Sequence, residues 1–459
     1  MSVVPGTIDT DQQPPMTIPL RHFLVGLALL LLGGLAGVSA AAGVPLGLVR
    51  LAHVHLLLAG WVCVTIMGAM TQFVPVWSNV PLYSRRLASA QLWLVTAGVL
   101  GVAGAFVSSR VSVLPVFGFL MLCGFWTFVY NLGRTLATVE SLDVTERHFA
   151  LALGFFVLVT AAGLLLALNF ATPILPIAGV THSQLLAAHA TLAVFGAVLT
   201  TVLGALYQLG TMFTQTELRG VDHYLRRFEE TGYPLGVLLL ATGRLFGNLG
   251  VARAGAALVL AGILSFGVIL GRRLYETRVE RTPMLSRYAV VAAAMALWAL
   301  VTVPTWLRNP VSPAALFGPE GASHLLLVGV IGFVVMGSLY HIVPFIVWVH
   351  RYSDRLGFEK VPMIDDLYDH RIAAADFWTI LFGSAVVALD APLGLPSTVV
   401  VAGGTVALVG FGLFAANLAR VVKNHAPNSL VGVFVPSEGA DQEMVESAAT
   451  PESGASDSR

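Results

Sequence analysis

The chain has 459 residues, of which 56% are hydrophobic and only 11% are charged, and its mean hydropathy is +0.82. Soluble domains carry about 25% charged residues, so this composition excludes a soluble globular enzyme. The 25 basic residues equal the 25 acidic ones in number, which excludes the strongly basic surface of a nucleic-acid-binding protein. We therefore expect an integral membrane protein whose main partner is the lipid bilayer.

A membrane-spanning helix needs about 20 apolar residues, and the sequence contains twelve runs of this kind. We predict helices 1 to 12 at residues 22–42, 52–77, 89–108, 111–133, 149–172, 183–213, 231–248, 251–271, 287–307, 323–349, 372–390 and 397–420. The seventh run is the weakest, because Gly232, Pro234, Gly236 and Arg244 interrupt it. A broken helix is expected there.

The basic residues between these runs support the count of twelve. Cytoplasmic loops are rich in Lys and Arg, and the side shared by both termini holds twenty of the 25 basic residues. We therefore predict a protein of the inner or plasma membrane with both termini cytoplasmic. It would have an N-terminal tail at 1–21, a twelve-helix membrane domain at 22–420 and a disordered acidic tail at 421–459.

Three segments, one in each of helices 2, 6 and 10, share a pattern that aligns without gaps. When His55, Thr191 and His324 are taken as position zero, glycines recur at positions plus five and plus thirteen, and a polar side chain recurs at plus seventeen. Small-residue packing between helices would explain the glycines, but it would not explain the polar residues.

The spacing of these segments predicts an internal repeat. Position zero recurs after 136 and then 133 residues, and each copy lies near the start of its helix. The simplest fold is an all-α membrane bundle of three pseudo-symmetric four-helix units, at about 22–133, 149–271 and 287–420.

Five of the twelve histidines fall near the outer ends of these three helices. They are His53, His55, His182, His189 and His324. An ionisable side chain in a membrane helix is a functional-site hypothesis by default, and a set at one depth strengthens it. We therefore expect the chemistry of the protein at this end of the bundle.

The sequence HVHLLLAGW in helix 2, and HLLLVG followed by MGxxxHxxP in helix 10, resemble the haem-binding helices of the haem–copper oxidase superfamily. This superfamily contains subunit I of cytochrome oxidases and nitric oxide reductases. The resemblance extends over most of the chain and implies twelve helices in three sets of four. It also implies a low-spin haem b held between a histidine of helix 2 and His324 of helix 10.

The sequence also departs from the superfamily pattern. Ala322 stands where the high-spin haem ligand is expected, and residues 231–248 lack the adjacent histidines of the metal site. Ala193 stands where oxidases carry a tyrosine after the histidine of helix 6. Embedded carboxylates are few, with Asp376 and Asp390 near the ends of helix 11. We therefore expect no copper at the usual site and no terminal-oxidase activity.

The resemblance and the repeat together predict which histidines pair. Residues two apart on a helix point about 160° away from each other, so His53 and His55 face different neighbours. In the superfamily, helix 10 directs position zero toward helix 2 and position minus two toward helix 6. Applied to all three units, this rule predicts three pairs: His53 with His324, His55 with His189, and Ala322 with Thr191.

These pairs define the predicted sites. We expect one haem b at His53 and His324, a second haem or metal at His55 and His189, and an empty third interface. Two imidazoles fill both axial positions of the haem iron, so such a centre transfers electrons, with a redox partner protein or subunit. A site with one imidazole would bind a small gas such as nitric oxide or oxygen.

Besides a haem protein, the sequence leaves two functional classes open, which makes three in all. Twelve helices with repeats also suit a secondary transporter, which a broken helix 7 would favour. The third alternative is a structural subunit whose histidines no longer bind a cofactor.

Overall fold

A computed structural model describes residues 14–426 and 430–434. Within them the chain forms helices, loops and two isolated β-bridges. Twelve helices, labelled α1 to α12 in chain order, are Thr17–Ala41, Val49–Ser78, Arg85–Val107, Val111–Leu136, Val144–Ala171, His182–Thr214, Val221–Leu245, Leu249–Glu276, Pro283–Arg308, Ala322–Arg351, His370–Ala388 and Ser397–His425.

Eleven of these helices are long and apolar enough to cross a membrane, so the protein is an all-α membrane protein. The helix outside this set is α7, whose first turns carry several charged residues. The expectation of a broken helix here is wrong, because α7 is continuous from Val221 to Leu245 with Pro234 inside it. Hydropathy does not locate the start of α7 at Val221, since charged residues such as Glu229 precede the apolar run.

Helices α2, α6 and α10 form the centre of the bundle. In their most apolar stretches 67%, 78% and 78% of residues are buried, against at most 56% in the other apolar helices. The recurring glycines permit this close packing. A Cβ added to Gly68 would lie 2.5 Å from His22 Cβ on α1, and one added to Gly204 would lie 2.5 Å from His148 Cβ on α5. Each central helix therefore packs tightly on the helix before it.

The nine outer helices surround this centre in a regular order. Antiparallel pairs form between α3 and α4, between α7 and α8, and between α11 and α12. Further contacts join α4 to α5, α8 to α9 and α12 to α1, which gives three arcs of three helices. Contacts between α1 and α3, α5 and α7, and α9 and α11 join these arcs into a ring. The packing pattern thus recurs every four helices along the chain.

Both predicted tail boundaries differ from the structure. Helix α1 begins at Thr17 and α12 continues to His425, so each helix extends about one turn into a predicted tail. In addition, Leu430–Phe434 forms a short helix that contacts the bundle: Arg21 Nε donates to the Val433 carbonyl. Residues 1–13, 427–429 and 435–459 lie outside the described residues.

Candidate functional site

The three central helices share an irregularity directly after position zero. Each changes there from α-helical to π-helical hydrogen bonding, over Leu56–Val62 in α2, Leu192–Leu199 in α6 and Leu325–Gly332 in α10. Short π-helical segments are rare and are frequent at functional sites. The sequence does not predict these π-helical segments, although each contains the glycine at position plus five.

The histidines of α2 and α10 come together at the end of the bundle where the central helices begin, which we call the histidine end. His53 Nδ1 lies 2.8 Å from the Gly33 carbonyl oxygen of α1. Its ring packs over Gly37, where an added Cβ would lie 2.6 Å from His53 Cε1. His324 is close enough to His53 for the two side chains to interact electrostatically. This interaction agrees with the pairing rule, and the pairing itself stays a prediction.

A second pair has the same arrangement one unit further along the chain. His189 Nδ1 lies 3.0 Å from the Val159 carbonyl oxygen of α5, and a Cβ added to Gly163 would lie 3.0 Å from its ring. His55 interacts electrostatically with His189, and its own Nδ1 lies 2.8 Å from the Leu51 carbonyl oxygen. His53 and His189 thus occupy matching positions in matching surroundings.

The hydrogen bonds of these rings suit a ligand role. A histidine that binds a metal usually donates its other ring N–H to a carbonyl or carboxylate group, which fixes the tautomer and the ring orientation. In His53, His55 and His189 the carbonyl contact uses Nδ1 and leaves Nε2 for a ligand. All three rings are half-buried. The residues present therefore fit haem iron as axial ligands.

His324 has different surroundings. It is half-buried at the start of α10, and it interacts electrostatically with Asp390 as well as with His53. Asp390 begins the short helix Asp390–Leu393, so it is the last residue of the predicted span and lies just beyond the end of α11 at Ala388. A carboxylate near an imidazole is a common second partner of metal-bound histidine.

The third interface, between α6 and α10, carries Thr191 and Ala322 in place of histidines. The expectation that it holds no cofactor stays a prediction, and side chains of α7 and α9 lie beside Thr191. Arg244 is 2% exposed and donates to Thr191 Oγ1 at 2.6 Å and to the Pro310 carbonyl at 2.9 Å. Its guanidinium carbon lies 5.3 Å from the centroid of the Trp306 ring. An arginine thus lies beside Thr191 at this interface.

His182 belongs to the predicted histidine set but has a structural partner. It is the first residue of α6, and its Nδ1 lies 2.9 Å from Asn169 Nδ2, which donates to it. Asn169 also accepts backbone hydrogen bonds from Ile174 and Leu175. His182 therefore helps to fix the α5–α6 connection.

The expectation of few embedded carboxylates missed a buried group at the opposite end of the bundle. Glu229 of α7 is completely buried; it lies 3.2 Å from His148 Nε2 and accepts from the Tyr207 hydroxyl at 2.8 Å. Asp376 forms a comparable group with Arg287 and Tyr340. Glu229 escaped prediction because the predicted span of helix 7 begins after it.

No protein-family model matches this chain, and no curated protein matches it. Within residues 14–426 and 430–434 there is also no cluster of three or more His, Cys, Asp or Glu side chains able to hold a metal ion. A bis-histidine haem needs only two protein ligands, so the two histidine pairs suit haem better than a free metal ion.

Proposed function

We propose that the chain is a haem-binding membrane protein of the haem–copper oxidase subunit I type. In this proposal it acts in electron transfer, or in handling or sensing a small gas such as nitric oxide or oxygen. The observation that supports the proposal is the histidine end, where His53 interacts electrostatically with His324 and His55 interacts with His189. Three of the four imidazoles use Nδ1 on a carbonyl group and keep Nε2 for a ligand.

His53 and His324 would hold one haem b, which when bound supplies one-electron transfer without an open axial position. The Gly33 carbonyl holds His53 in the tautomer that presents Nε2. Gly37 allows the ring to lie directly against α1, because any side chain there would collide with it. The fixed ring orientation limits the reorganisation that a change of iron charge would require.

His55 and His189 would hold a second haem. The Val159 carbonyl and Gly163 of α5 position His189 as Gly33 and Gly37 position His53. Because the two pairs are on opposite faces of α2, both haems can be bound at once.

We also infer that α7 crosses the membrane as a twelfth span and that the bundle consists of three four-helix units. The packing pattern that recurs every four helices and the three matching π-helical segments support this. Both termini would then lie in the cytoplasm, where a redox partner could reach the loops.

We do not propose terminal-oxidase chemistry, because the residue that approaches the third interface from α7 is Arg244 and not a histidine. The transporter alternative also loses the support of a broken helix 7, since α7 is continuous.

A reduced-minus-oxidised absorption spectrum of the purified protein tests the proposal. We expect the bands of a low-spin b-type haem, and their complete absence would overturn it. His53→Ala and His324→Ala should each remove the first haem, whereas His55→Ala and His189→Ala should remove only the second. His182→Ala is the matched control and should keep both. If His55→Ala removed the first haem and His53→Ala did not, the pairing would be wrong.

A further inference from the structure

A cavity of about 70 Å³ lies between α2, α6 and α10, beyond the π-helical segments and toward the end opposite the histidines. The three helices contribute matching residues to its wall. Positions plus eleven and plus fourteen supply Ile66, Val202, Val335, Ala69, Ala205 and Ser338. Its centre therefore lies about 15 to 20 Å along the helices from position zero, at 1.5 Å per residue.

The wall offers little to a water molecule. Two of its three hydroxyl groups have protein partners: Thr201 donates to the Ala197 carbonyl, and Ser338 is hydrogen-bonded to Tyr288. Thr65 Oγ1 has no hydrogen-bond partner among the described residues, and it lies toward α1, 2.8 Å from the point where a Cβ on Gly26 would be. A buried water needs two to four polar partners, and cavities that lack them stay dry and bind apolar atoms or molecules.

Aromatic side chains surround one end of the cavity. Trp77 stacks on Phe73 with ring centroids 4.9 Å apart and on Phe149 at 6.4 Å, and all three line the cavity. The apolar side chains of three helices thus line a small space that is partly open on one side.

We propose that this axial cavity is a binding site for one small apolar molecule, of the size of a diatomic gas or a xenon atom. Its apolar wall favours an apolar molecule over water or an ion, and its small volume favours a small molecule. The site is separate from both histidine pairs, so its occupancy does not depend on haem.

Xenon is the probe, because it binds dry cavities through dispersion alone. Crystals of the full-length protein under xenon pressure should show one anomalous peak between Ile66, Val202 and Val335. Ala205→Leu should abolish that peak by filling the cavity, whereas Ala385→Leu, on an exposed position of α11, should leave it unchanged.

Val335→Ala provides the opposite change and protects the test if Ala205→Leu fails to fold. It enlarges the cavity, so xenon occupancy at a fixed subsaturating pressure should rise. An absence of xenon in wild-type crystals, or ordered water in the cavity, would overturn the proposal. A protein that lacks haem bands but binds xenon here would contradict only the proposed haem function.

Discussion

The interfaces between the central helices differ although the three helices share one sequence pattern. The interfaces of α2 with α10 and with α6 carry two histidines each, and three of these four rings have a carbonyl contact at Nδ1. Between α6 and α10, Arg244 satisfies its donors on Thr191 and on backbone carbonyls beneath Trp306. At the first two interfaces the imidazole Nε2 atoms are left for a ligand. At the third interface the polar groups hydrogen-bond to one another.

The contrast between the histidine interfaces and the Arg244 interface suggests how similar helix interfaces can differ in cofactor binding. An unfilled space between helices is unfavourable, because side chains around a void lose their packing contacts. A protein can fill it with a cofactor or with a large side chain. A buried arginine is an effective filler only when neighbouring oxygens accept its hydrogen bonds, and here the loop before α10 supplies them.

The largest effect on stability should come from Arg244→Met, which removes the filler of the third interface. Thr191 and the Pro310 carbonyl would lose a charged donor, and each such hydrogen bond contributes about 1.5–3 kcal/mol. We expect a loss of about 3 kcal/mol or more in the free energy of unfolding, measured by denaturation in detergent. The haem content of the remaining folded protein should not change. Loss of the haem bands without loss of stability would show that the third interface is part of the cofactor site.

Gly37→Ala should have the next largest effect, and it should fall on the His53 interface. The new Cβ would lie 2.6 Å from His53 Cε1, so the ring or α1 must move. Such overpacking costs about 1–3 kcal/mol, and 1.4 kcal/mol corresponds to about a tenfold change in an equilibrium constant. We expect haem at this pair to bind about tenfold more weakly, as measured by haem-to-protein ratio and by titration of haem into the stripped protein.

Gly154→Ala is the matched control for this substitution. An added Cβ at Gly154 meets no atom within 4 Å, so it should leave haem binding unchanged. Equal losses in Gly37→Ala and Gly154→Ala would argue that helix packing in general, and not the His53 ring, controls the site.

Much of this architecture could be predicted from the sequence, and the exceptions have physical causes. Eleven of the twelve predicted apolar runs correspond to helices long and apolar enough to span a membrane, since hydropathy depends on composition alone. The charged half of α7 and its Glu229 could not be found this way, because their burial depends on partners in α5 and α6.

The candidate site shows the same division. The resemblance and the repeat together predict that His53 neighbours His324 and that His55 neighbours His189, and this stays a prediction. The π-helical segments and the Arg244 contacts were not predictable, because they arise from packing between distant parts of the chain. Local sequence predicts a helix break near Arg244. Its hydrogen-bond partner Thr191 could not be predicted, because Thr191 lies 53 residues away in sequence.

Gly163→Ala tests whether the second histidine pair follows the first. Its added Cβ would lie 3.0 Å from His189 Cε1, a milder conflict than at Gly37. We expect a smaller decrease, confined to the second haem and measured by the same titration. A decrease in the first haem instead would contradict the assignment of His189 to the pair with His55.

The smallest effect should come from Asp369→Ala, at the end of the bundle opposite the histidines. Asp369 caps α11 by accepting from the backbone N–H groups of Arg371 and Ile372 at 2.8 and 3.2 Å. These hydrogen bonds lower the pKa of the carboxyl below its usual value of 3.8. The ionised cap therefore stabilises the folded state at neutral pH, and this contribution is lost as the pH falls through the lowered pKa.

The variant should consequently unfold at a slightly lower temperature than the wild type at pH 7, and the two unfolding temperatures should converge in acid. Haem spectra should be identical at pH 7, because the cap is remote from both histidine pairs. Asp369→Ala therefore shows whether a small loss of stability remote from the histidines changes haem binding. If so mild a change removed haem, the losses in the glycine variants could no longer be assigned to the rings they touch.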